Sequence, residues 1–133
     1  MAIKTFPDRD TLIRETAEFI VDLAGRAIAN EGRFTIALSG GDTPKPLYQL
    51  LASPAYKQRI EWSKVLVFFG DERCVPPEDH RSNYRMARMT LLDHVDIPAE
   101  NVYRMRGEDD PERAANQYAE ELEKVFGGRS GEG

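Results

Sequence analysis

The sequence predicts an α/β fold in which a mostly parallel sheet is flanked by helices. Three observations lead to this prediction. Apolar residues recur at helical spacing in several segments, short apolar runs lie between those segments, and turns rich in glycine or proline separate the two kinds of element. Helices that alternate with apolar strands are typical of parallel sheets, whose crossover connections run through helices.

The first predicted helix spans residues 11–30. Asp10 is its expected N-cap, and Gly32 stands where a helix C-terminus favours a left-handed residue. Spacings of three and four place one set of apolar residues on the inner side. The members of that set are Ile13, Ala17, Ile20, Ala24 and Ala27, flanked by Leu12, Phe19, Leu23 and Ile28.

Two apolar runs are predicted to be buried strands, Phe34–Leu38 and Val65–Phe69. The second consists of five consecutive apolar residues, which indicates burial on both faces of a parallel sheet. Residues 101–104 are expected to form a further short strand. Residues 71–81, which are rich in proline and charge, are expected to form a loop.

Three more helices are predicted. One begins at Pro44, one follows a Ser82 cap and runs to about residue 95, and one begins at Pro111 after Asp110 and runs to about residue 126. The residues expected to face the core are Leu47, Leu50 and Leu51 in the first, Met86, Met89 and Leu92 in the second, and Ala115, Tyr118, Leu122 and Val125 in the third.

Composition excludes several classes of protein. The 133 residues are 41% hydrophobic and 31% charged, with one cysteine. The longest apolar run is far too short to span a membrane, the N-terminus lacks the apolar core of a secretory signal, and a lone cysteine excludes an internal disulfide framework. We therefore expect a soluble cytoplasmic protein.

Charge is unevenly distributed around a net value of −5. Residues 100–133 carry a net charge of −4, whereas residues 39–88 carry +2. No dense basic stripe is present, which argues against nucleic acid as a partner. The mildly positive centre is compatible with a small anionic ligand, although charge alone favours an ordinary solvated surface.

The chain is expected to form one α/β domain over residues 1–126, followed by a flexible tail or linker at residues 127–133. The last predicted helix has no strand after it, and the predicted sheet is thin for the number of helices that it must cover. We therefore expect the front part of a larger protein. An oligomer is compatible with the unpaired strand edges that such a sheet leaves.

The most specific motif is Ser39-Gly-Gly-Asp-Thr-Pro-Lys, which follows the first strand and opens the second helix. Gly40 and Gly41 permit positive φ angles and a close approach of the backbone to a ligand. Thr43 is a natural N-cap, and Lys45 adds a positive charge beside the free N–H groups of the helix start. The sequence differs from the known Gly-rich nucleotide loops, so it predicts either an anion site or a tight turn.

Two further motifs follow the second strand. Asp71 can take or orient a proton or hold a sugar hydroxyl, and Arg73 offers a planar fork for phosphate. Further on, Asn83 can hydrogen-bond hydroxyl groups. Because both strands should end at the same edge of the sheet, these side chains are expected beside the glycine pair. A surface salt bridge among Asp71, Glu72 and Arg73 is the alternative interpretation.

Other reactive residues offer weaker signals. His80 is expected to be solvated, His94 to be structural, and Cys74 has no histidine partner nearby. No set of His, Cys and carboxylate residues has metal-ligand spacing, so no metal site is expected.

Together, Ser39-Gly-Gly-Asp-Thr-Pro, Phe68-Phe-Gly-Asp-Glu-Arg and Ser82-Asn-Tyr resemble the 6-phosphogluconolactonase family over about residues 13–126. The resemblance implies an α/β sheet of the sugar-phosphate isomerase type. It also implies cytoplasmic hydrolysis of a phosphorylated sugar lactone, 6-phospho-D-glucono-1,5-lactone, to 6-phosphogluconate in the pentose phosphate pathway, without metal or organic cofactor.

Residue by residue, the resemblance implies that the loop from Ser39 to Thr43 and Arg73 hold the phosphate, with Asp71 beside the reacting ring. Lactonases of this family carry a later Gly-His-Thr-type segment whose histidine activates water. This chain has no such segment, so the principal base is expected beyond it.

Three alternatives stay open from the sequence. The related glucosamine-6-phosphate isomerase/deaminase family shares the layout, although an Arg as third residue of Asp-Glu-Arg favours the lactonase branch. A non-catalytic sugar-phosphate binding module would bind without turnover. A plain structural domain would show no affinity for phosphate compounds.

Overall fold

A computed structural model describes residues 8–41 and 44–130, without the side chains of residues 127–130. The helices and strands, in chain order, are α1 (Arg9–Glu31), β1 (Phe34–Leu38), α2 (Lys45–Leu51), β2 (Val65–Phe69), α3 (Asn83–Thr90) and α4 (Pro111–Ser130). Short 3₁₀ turns lie at Lys57–Arg59, Trp62–Lys64, Leu92–His94 and Ala99–Asn101.

The first helix starts earlier than the sequence predicted. Asp8, not Asp10, is the N-cap of α1, and its Oδ1 accepts a hydrogen bond from the Thr11 N–H at 2.7 Å. That bond lowers the pKa of Asp8. Asp10 lies in the first turn, where a negative charge suits the helix dipole. The predicted C-terminus is confirmed, since Gly32 has φ 81° and its N–H bonds to the Ile28 carbonyl.

The two predicted strands and their parallel pairing are confirmed. Phe34 lies opposite Val65, and Leu38 lies opposite Phe69. Alternate side chains of both strands therefore share one face, which packs into the core beneath α1, α2 and α3. These core-facing side chains are Phe34, Ile36, Leu38, Val65, Val67 and Phe69.

The opposite face of the sheet is covered unevenly. Phe68 stacks on Tyr103 with ring centroids 4.7 Å apart and packs against Phe126 of α4 at 5.6 Å. Thr35 and Ala37 on the same face of β1 are exposed. Among the described residues, α4 thus covers β2 and leaves β1 open on this side.

The third predicted strand, over residues 101–104, is wrong. Val102 makes a single parallel bridge to Val67, and the Tyr103 N–H donates to the Val67 carbonyl at 2.8 Å. The 3₁₀ turn that precedes Val102 leaves too little extended chain for a longer ladder.

The third helix is shorter than predicted. Leu91, with φ −134° and ψ −60°, ends α3, and a 3₁₀ turn takes the place of its last predicted turn. Ala87 and Leu91 are buried, whereas Met89 is 48% exposed. The inner side of the helix therefore follows the four-residue step from Asn83 through Ala87 to Leu91, so the prediction that Met89 faces the core is wrong.

The second and fourth helices lie close to their predicted positions. α2 begins at Lys45, one residue after Pro44, and buries Tyr48 and Leu51. α4 starts at Pro111, as predicted, and the Asp110 carboxylate accepts from the Arg113 N–H at 3.3 Å. Its buried residue is Tyr118, as predicted, whereas Ala115 is exposed and Leu122 and Val125 are half-buried.

The predicted linker, residues 127–133, falls partly inside α4, which ends at Ser130. Residues 131–133 lie outside the described residues, so the division into domain and tail stays a prediction. In the described part of the chain, every helix is too short or too polar to cross a membrane.

An exposed apolar stripe runs along α1 beside its buried side. Phe19 is 59% exposed and Leu12 is 46% exposed, whereas Ala17 and Ala24 on the inner side of the same helix are buried. Only part of the apolar surface of this helix therefore packs in the core.

Leu51→Ala should cost about 2–5 kcal/mol of unfolding free energy, because Leu51 is 1% exposed and its removal leaves a cavity. Phe19→Ala should change it by less than about 0.5 kcal/mol, because the ring is largely in water. Urea denaturation measures both. Equal losses from the two substitutions would contradict this description of the core.

Candidate functional site

The glycine motif and the Asp-Glu-Arg motif meet at the carboxyl edge of the sheet, as predicted. Ser39 follows β1 directly, and Gly70 and Asp71 follow β2. The Gly70 N–H donates to the Leu38 carbonyl at 3.0 Å, so the parallel pairing continues to the last residue before each loop. Ligands of open α/β sheets bind outside this edge.

Two buried tyrosines fix the strand ends from the outside. The Tyr48 hydroxyl accepts from the Ser39 N–H at 2.9 Å and donates to the Ser39 carbonyl at 2.8 Å. The Tyr118 hydroxyl accepts from the Phe69 N–H at 2.8 Å and donates to the Phe69 carbonyl. Burial raises the pKa of both phenols, which keeps them protonated. Each hydroxyl thus hydrogen-bonds one backbone N–H and one carbonyl at a position where no further strand of the described chain pairs.

Each glycine of the pair has its own structural reason. Gly41 has φ 93°, a conformation that favours glycine. Gly40 packs against the Asn83 side chain so closely that a Cβ at position 40 would overlap the carboxamide. The pair therefore gives the first loop its turn and lets it contact the start of α3.

Glu72 connects the second loop to the start of α3. Its Oε1 accepts from the N–H groups of Arg73 and Asn83, both at 2.7 Å. Its Oε2 accepts from the Ser82 hydroxyl at 2.8 Å and from the Tyr84 N–H at 2.9 Å. The alternative of a salt bridge within Asp71-Glu72-Arg73 is wrong for Glu72, because its partners are backbone groups and a hydroxyl.

Asn83 joins the two motifs. Its Nδ2 donates to the Asp71 Oδ1 at 3.0 Å and to the Asp71 carbonyl at 3.3 Å. Asn83 is 4% exposed and lies against Gly40. The carboxylate of Asp71 is itself exposed, with one oxygen held by this amide.

A cleft of ≈ 440 Å³ opens beside this junction. Four of the predicted residues line it: Gly41, Lys45, Arg73 and Asn83. Its other lining residues are His80, Arg81, Ser82, Arg85, Met86, Met89 and Thr90. Three separate segments of the chain therefore contribute to one cavity.

The cations of this cleft differ in how they are neutralised. Arg81 is bound by Asp79 through two side-chain hydrogen bonds of 3.0 Å each. The same contact lowers the pKa of Asp79 and raises that of Arg81. Lys45, Arg73 and Arg85 make no ion pair with any described residue. Three cations of the cleft thus have no acidic partner in the part of the chain that the structure describes.

The remaining predicted site residues lie around the cleft or outside the description. Ser39, Gly40 and Asp71 do not line it, although Gly40 and Asp71 both contact Asn83, which does. Thr43 lies outside the described residues. No ligand contact tests these roles, so they stay predictions.

Sequence reasoning missed Glu72, Arg81 and Arg85 as site residues. Arg85 stands one helical turn after the Ser82 cap, so its place beside the cleft follows from the predicted helix. No local signal identifies Glu72, because its partners in α3 are 10 to 12 residues away along the chain.

The histidines and the cysteine take no part in a polar cluster. The His80 side chain is 84% exposed, with Nδ1 3.7 Å from Asp79. His94 Nε2 lies 2.8 Å from the Met89 carbonyl, which is consistent with a structural role. Cys74 is exposed and reduced. Among the described residues, no group of three His, Cys, Asp or Glu side chains is arranged to hold a metal ion.

Fold and site together define an α/β protein with a cationic cleft at the carboxyl edge of its parallel strands. The model of one family, glucosamine-6-phosphate isomerases/6-phosphogluconolactonase, matches residues 7–132. The chain belongs to this family.

Individual relatives agree with this assignment. The chain is 44% identical to the 6-phosphogluconolactonase of Nostoc sp. over 98% of its length and 53% of that relative. The crystal structure of a 6-phosphogluconolactonase from Thermotoga maritima has a TM-score of 0.78 at 27% identity, covering 85% of this chain and 50% of that one. A monomeric glucosamine-6-phosphate deaminase has a TM-score of 0.79 at 19% identity, covering 96% of this chain and 52% of that one, which shows the fold alone. The chain therefore spans about half the length of the relatives it matches.

Gly40→Ala should destabilise the protein by about 1–3 kcal/mol, because the new methyl group displaces the Asn83 carboxamide from Asp71. Gly25→Ala is the matched control. Its Cβ meets nothing within 4 Å and lies in α1, so this substitution should stabilise by about 0.5–1 kcal/mol. Thermal unfolding of both variants measures whether each substitution lowers or raises the stability of the protein. A neutral or stabilising Gly40→Ala would disprove the close contact.

Proposed function

We propose that this chain is the phosphate-binding half of a 6-phosphogluconolactonase, the enzyme that hydrolyses 6-phospho-D-glucono-1,5-lactone to 6-phosphogluconate. The observation that carries the proposal is the convergence of Lys45, Arg73 and Arg85, which have no ion-pair partner among the described residues, on one cleft at the sheet edge. Family membership and 44% identity to a 6-phosphogluconolactonase support the choice of substrate.

The cleft suits a phosphate monoester. Arg73 presents a planar guanidinium that matches two phosphate oxygens, whereas Lys45 acts as a point charge. The Gly41 backbone allows close approach, and Arg85 adds charge from α3. A doubly charged group bound here would leave the sugar ring directed toward the junction of Asn83 and Asp71.

Asp71 is the candidate for proton chemistry in this half. Its carboxylate is exposed, and the amide of Asn83 orients one oxygen. In that position it can accept a hydrogen bond from a ring hydroxyl or from a water molecule.

The principal base belongs, in this proposal, to the half of the family-length protein that this chain does not contain. Hydrolysis of a lactone requires removal of a proton from the attacking water, and a positioned base contributes about 10²–10⁴-fold. Of the two histidines in the sequence, His80 is 84% exposed and His94 lines a different cleft. His94 therefore lies away from a substrate anchored by Arg73, whereas His80 lines the same cleft as Arg73 and is assigned no role in the proposal.

The amino-sugar deaminase activity has weaker support. Its structural relative is 19% identical, which speaks for the fold alone, and the third residue of Asp-Glu-Arg favours the lactonase branch. Release of ammonia from glucosamine 6-phosphate distinguishes the two.

The proposal places the reaction in the cytoplasm, in agreement with the single free cysteine.

Arg73→Ala should weaken binding of 6-phosphogluconate to this chain by about tenfold or more, because one charge-assisted contact to the phosphate is lost. Arg85→Ala should weaken it as well. Arg26→Ala is the matched control. Arg26 lies near the C-terminal end of α1, in an exposed ion pair with Asp22, and does not line the cleft. Isothermal titration calorimetry at low salt measures all three. Unchanged affinity in Arg73→Ala would refute the assigned phosphate site.

The lactone assay tests the division of labour between the two halves. This chain alone should hydrolyse the lactone at least about 10²-fold more slowly than a chimera in which the remaining half of the Nostoc relative follows it. Loss of lactone is followed with a pH indicator at constant enzyme concentration. Equal rates would show that no essential group lies in the second half.

A further inference from the structure

We infer that Glu72 is the positioning residue of the cleft: its carboxylate substitutes for an anion at the start of α3 and thereby holds Arg73 and Asn83 in their binding positions. The inference deepens the proposed function and depends on it for the identity of the ligand. The contacts themselves are independent of that ligand.

The first turn of α3 is fully accounted for by hydrogen bonds. The first N–H groups of a helix have no carbonyl partner within the helix. Here Glu72 accepts from the Asn83 and Tyr84 N–H groups, and the Ser82 hydroxyl oxygen accepts from the Arg85 N–H at 3.2 Å. The Ser82 N-cap in turn donates its own proton to Glu72 at 2.8 Å. Glu72 therefore supports every donor of this turn, directly or through Ser82.

The same carboxylate shapes the second loop. Its Oε1 is shared between the Arg73 N–H and the Asn83 N–H, so the backbone at Arg73 lies against the first residue of α3. Asn83 then reaches Asp71 with its amide and Gly40 with its van der Waals surface. One carboxylate thus sets the distance between the cation after β2, the helix α3 and the glycine pair.

This arrangement also determines where a substrate anion goes. Because Glu72 already occupies the positive end of α3, a phosphate cannot use those N–H groups. The groups that remain for it in the cleft are the side chains of Lys45, Arg73 and Arg85 and the backbone of the glycine loop at Gly41. The negative charge of Glu72 opposes the binding of an anion by Coulomb repulsion. Glu72 can therefore favour anion binding only by holding Arg73 and Asn83 in position.

A charge effect and a positioning effect therefore predict opposite changes in anion affinity when Glu72 is replaced by Gln. If Glu72 acted only as a nearby negative charge, Glu72→Gln would strengthen binding of an anion. If it positions Arg73 and Asn83, Glu72→Gln weakens binding, because an amide nitrogen replaces Oε2 and faces the Tyr84 N–H donor. Glu72→Asp keeps the charge but shortens the side chain, so it should also weaken binding. Glu78→Gln, in the same loop with an exposed side chain, is the matched control for charge.

The first experiment needs no ligand. Hydrogen exchange by NMR is measured at the Asn83 and Tyr84 amides of the free protein, which donate to Glu72 and to no other described side chain. At the Tyr84 amide, which loses its acceptor, exchange should be about tenfold faster in Glu72→Gln, the expected loss of one hydrogen bond to a charged group, and unchanged in Glu78→Gln. Unchanged exchange in Glu72→Gln would overturn the inference.

The second experiment titrates 6-phosphogluconate at a temperature where circular dichroism shows each variant fully folded. The dissociation constant should rise about tenfold in Glu72→Gln and in Glu72→Asp, with Glu78→Gln at the wild-type value. A lower or equal constant in Glu72→Gln would overturn the inference, since a charge effect or a role in fold stability alone gives those results. If the wild-type chain itself binds no phosphate compound, the proposed function fails, whereas the exchange experiment still decides the role of Glu72.

Discussion

Parallel pairing of β1 with β2, in the register that sets Leu38 opposite Phe69, is the constraint on which the site depends. Both strands end at the same level, so the two loops that follow begin side by side. A shift of one residue would turn the core-facing side chains outward and separate the loops. The Tyr48 and Tyr118 hydroxyls hydrogen-bond the backbone of Ser39 and Phe69. These bonds fix the strand ends at the point where the site begins.

The charged residues around the cleft fall into two sets: cations that the proposal assigns to the ligand, and acidic residues that bind other groups of the protein. Asp79 neutralises Arg81, and Glu72 satisfies the first N–H groups of α3, so these acidic residues serve the protein itself. Three cations without an ion-pair partner among the described residues, Lys45, Arg73 and Arg85, line the cleft. The chain spans about half the length of its relatives, and the open face of β1 and the exposed stripe of α1 are consistent with a fold that another half completes.

Local signals predicted the fold well. Apolar runs identified both strands to the residue, and Gly32 and Pro111 marked helix ends, because each depends on neighbours in sequence. Failures have physical causes. Asp8 and Asp10 are equally good caps by residue type, and the inner side of α3 depends on where Leu91 ends the helix. The site motifs were located because parallel strands bring their ends together. The role of Glu72 was missed because its partners are distant along the chain, and Lys45 and Arg85 meet only in three dimensions.

The central claim is that a sugar phosphate enters the cleft with its anionic end on the guanidinium of Arg73. A crystal structure of this chain with 6-phosphogluconate tests it most directly. Phosphate oxygens should lie within hydrogen-bond distance of Arg73 and Lys45, with the Gly41 backbone beside them. A phosphate bound instead in the separate cleft between Lys57 and His94, with the Arg73 side chain in water, would contradict the account.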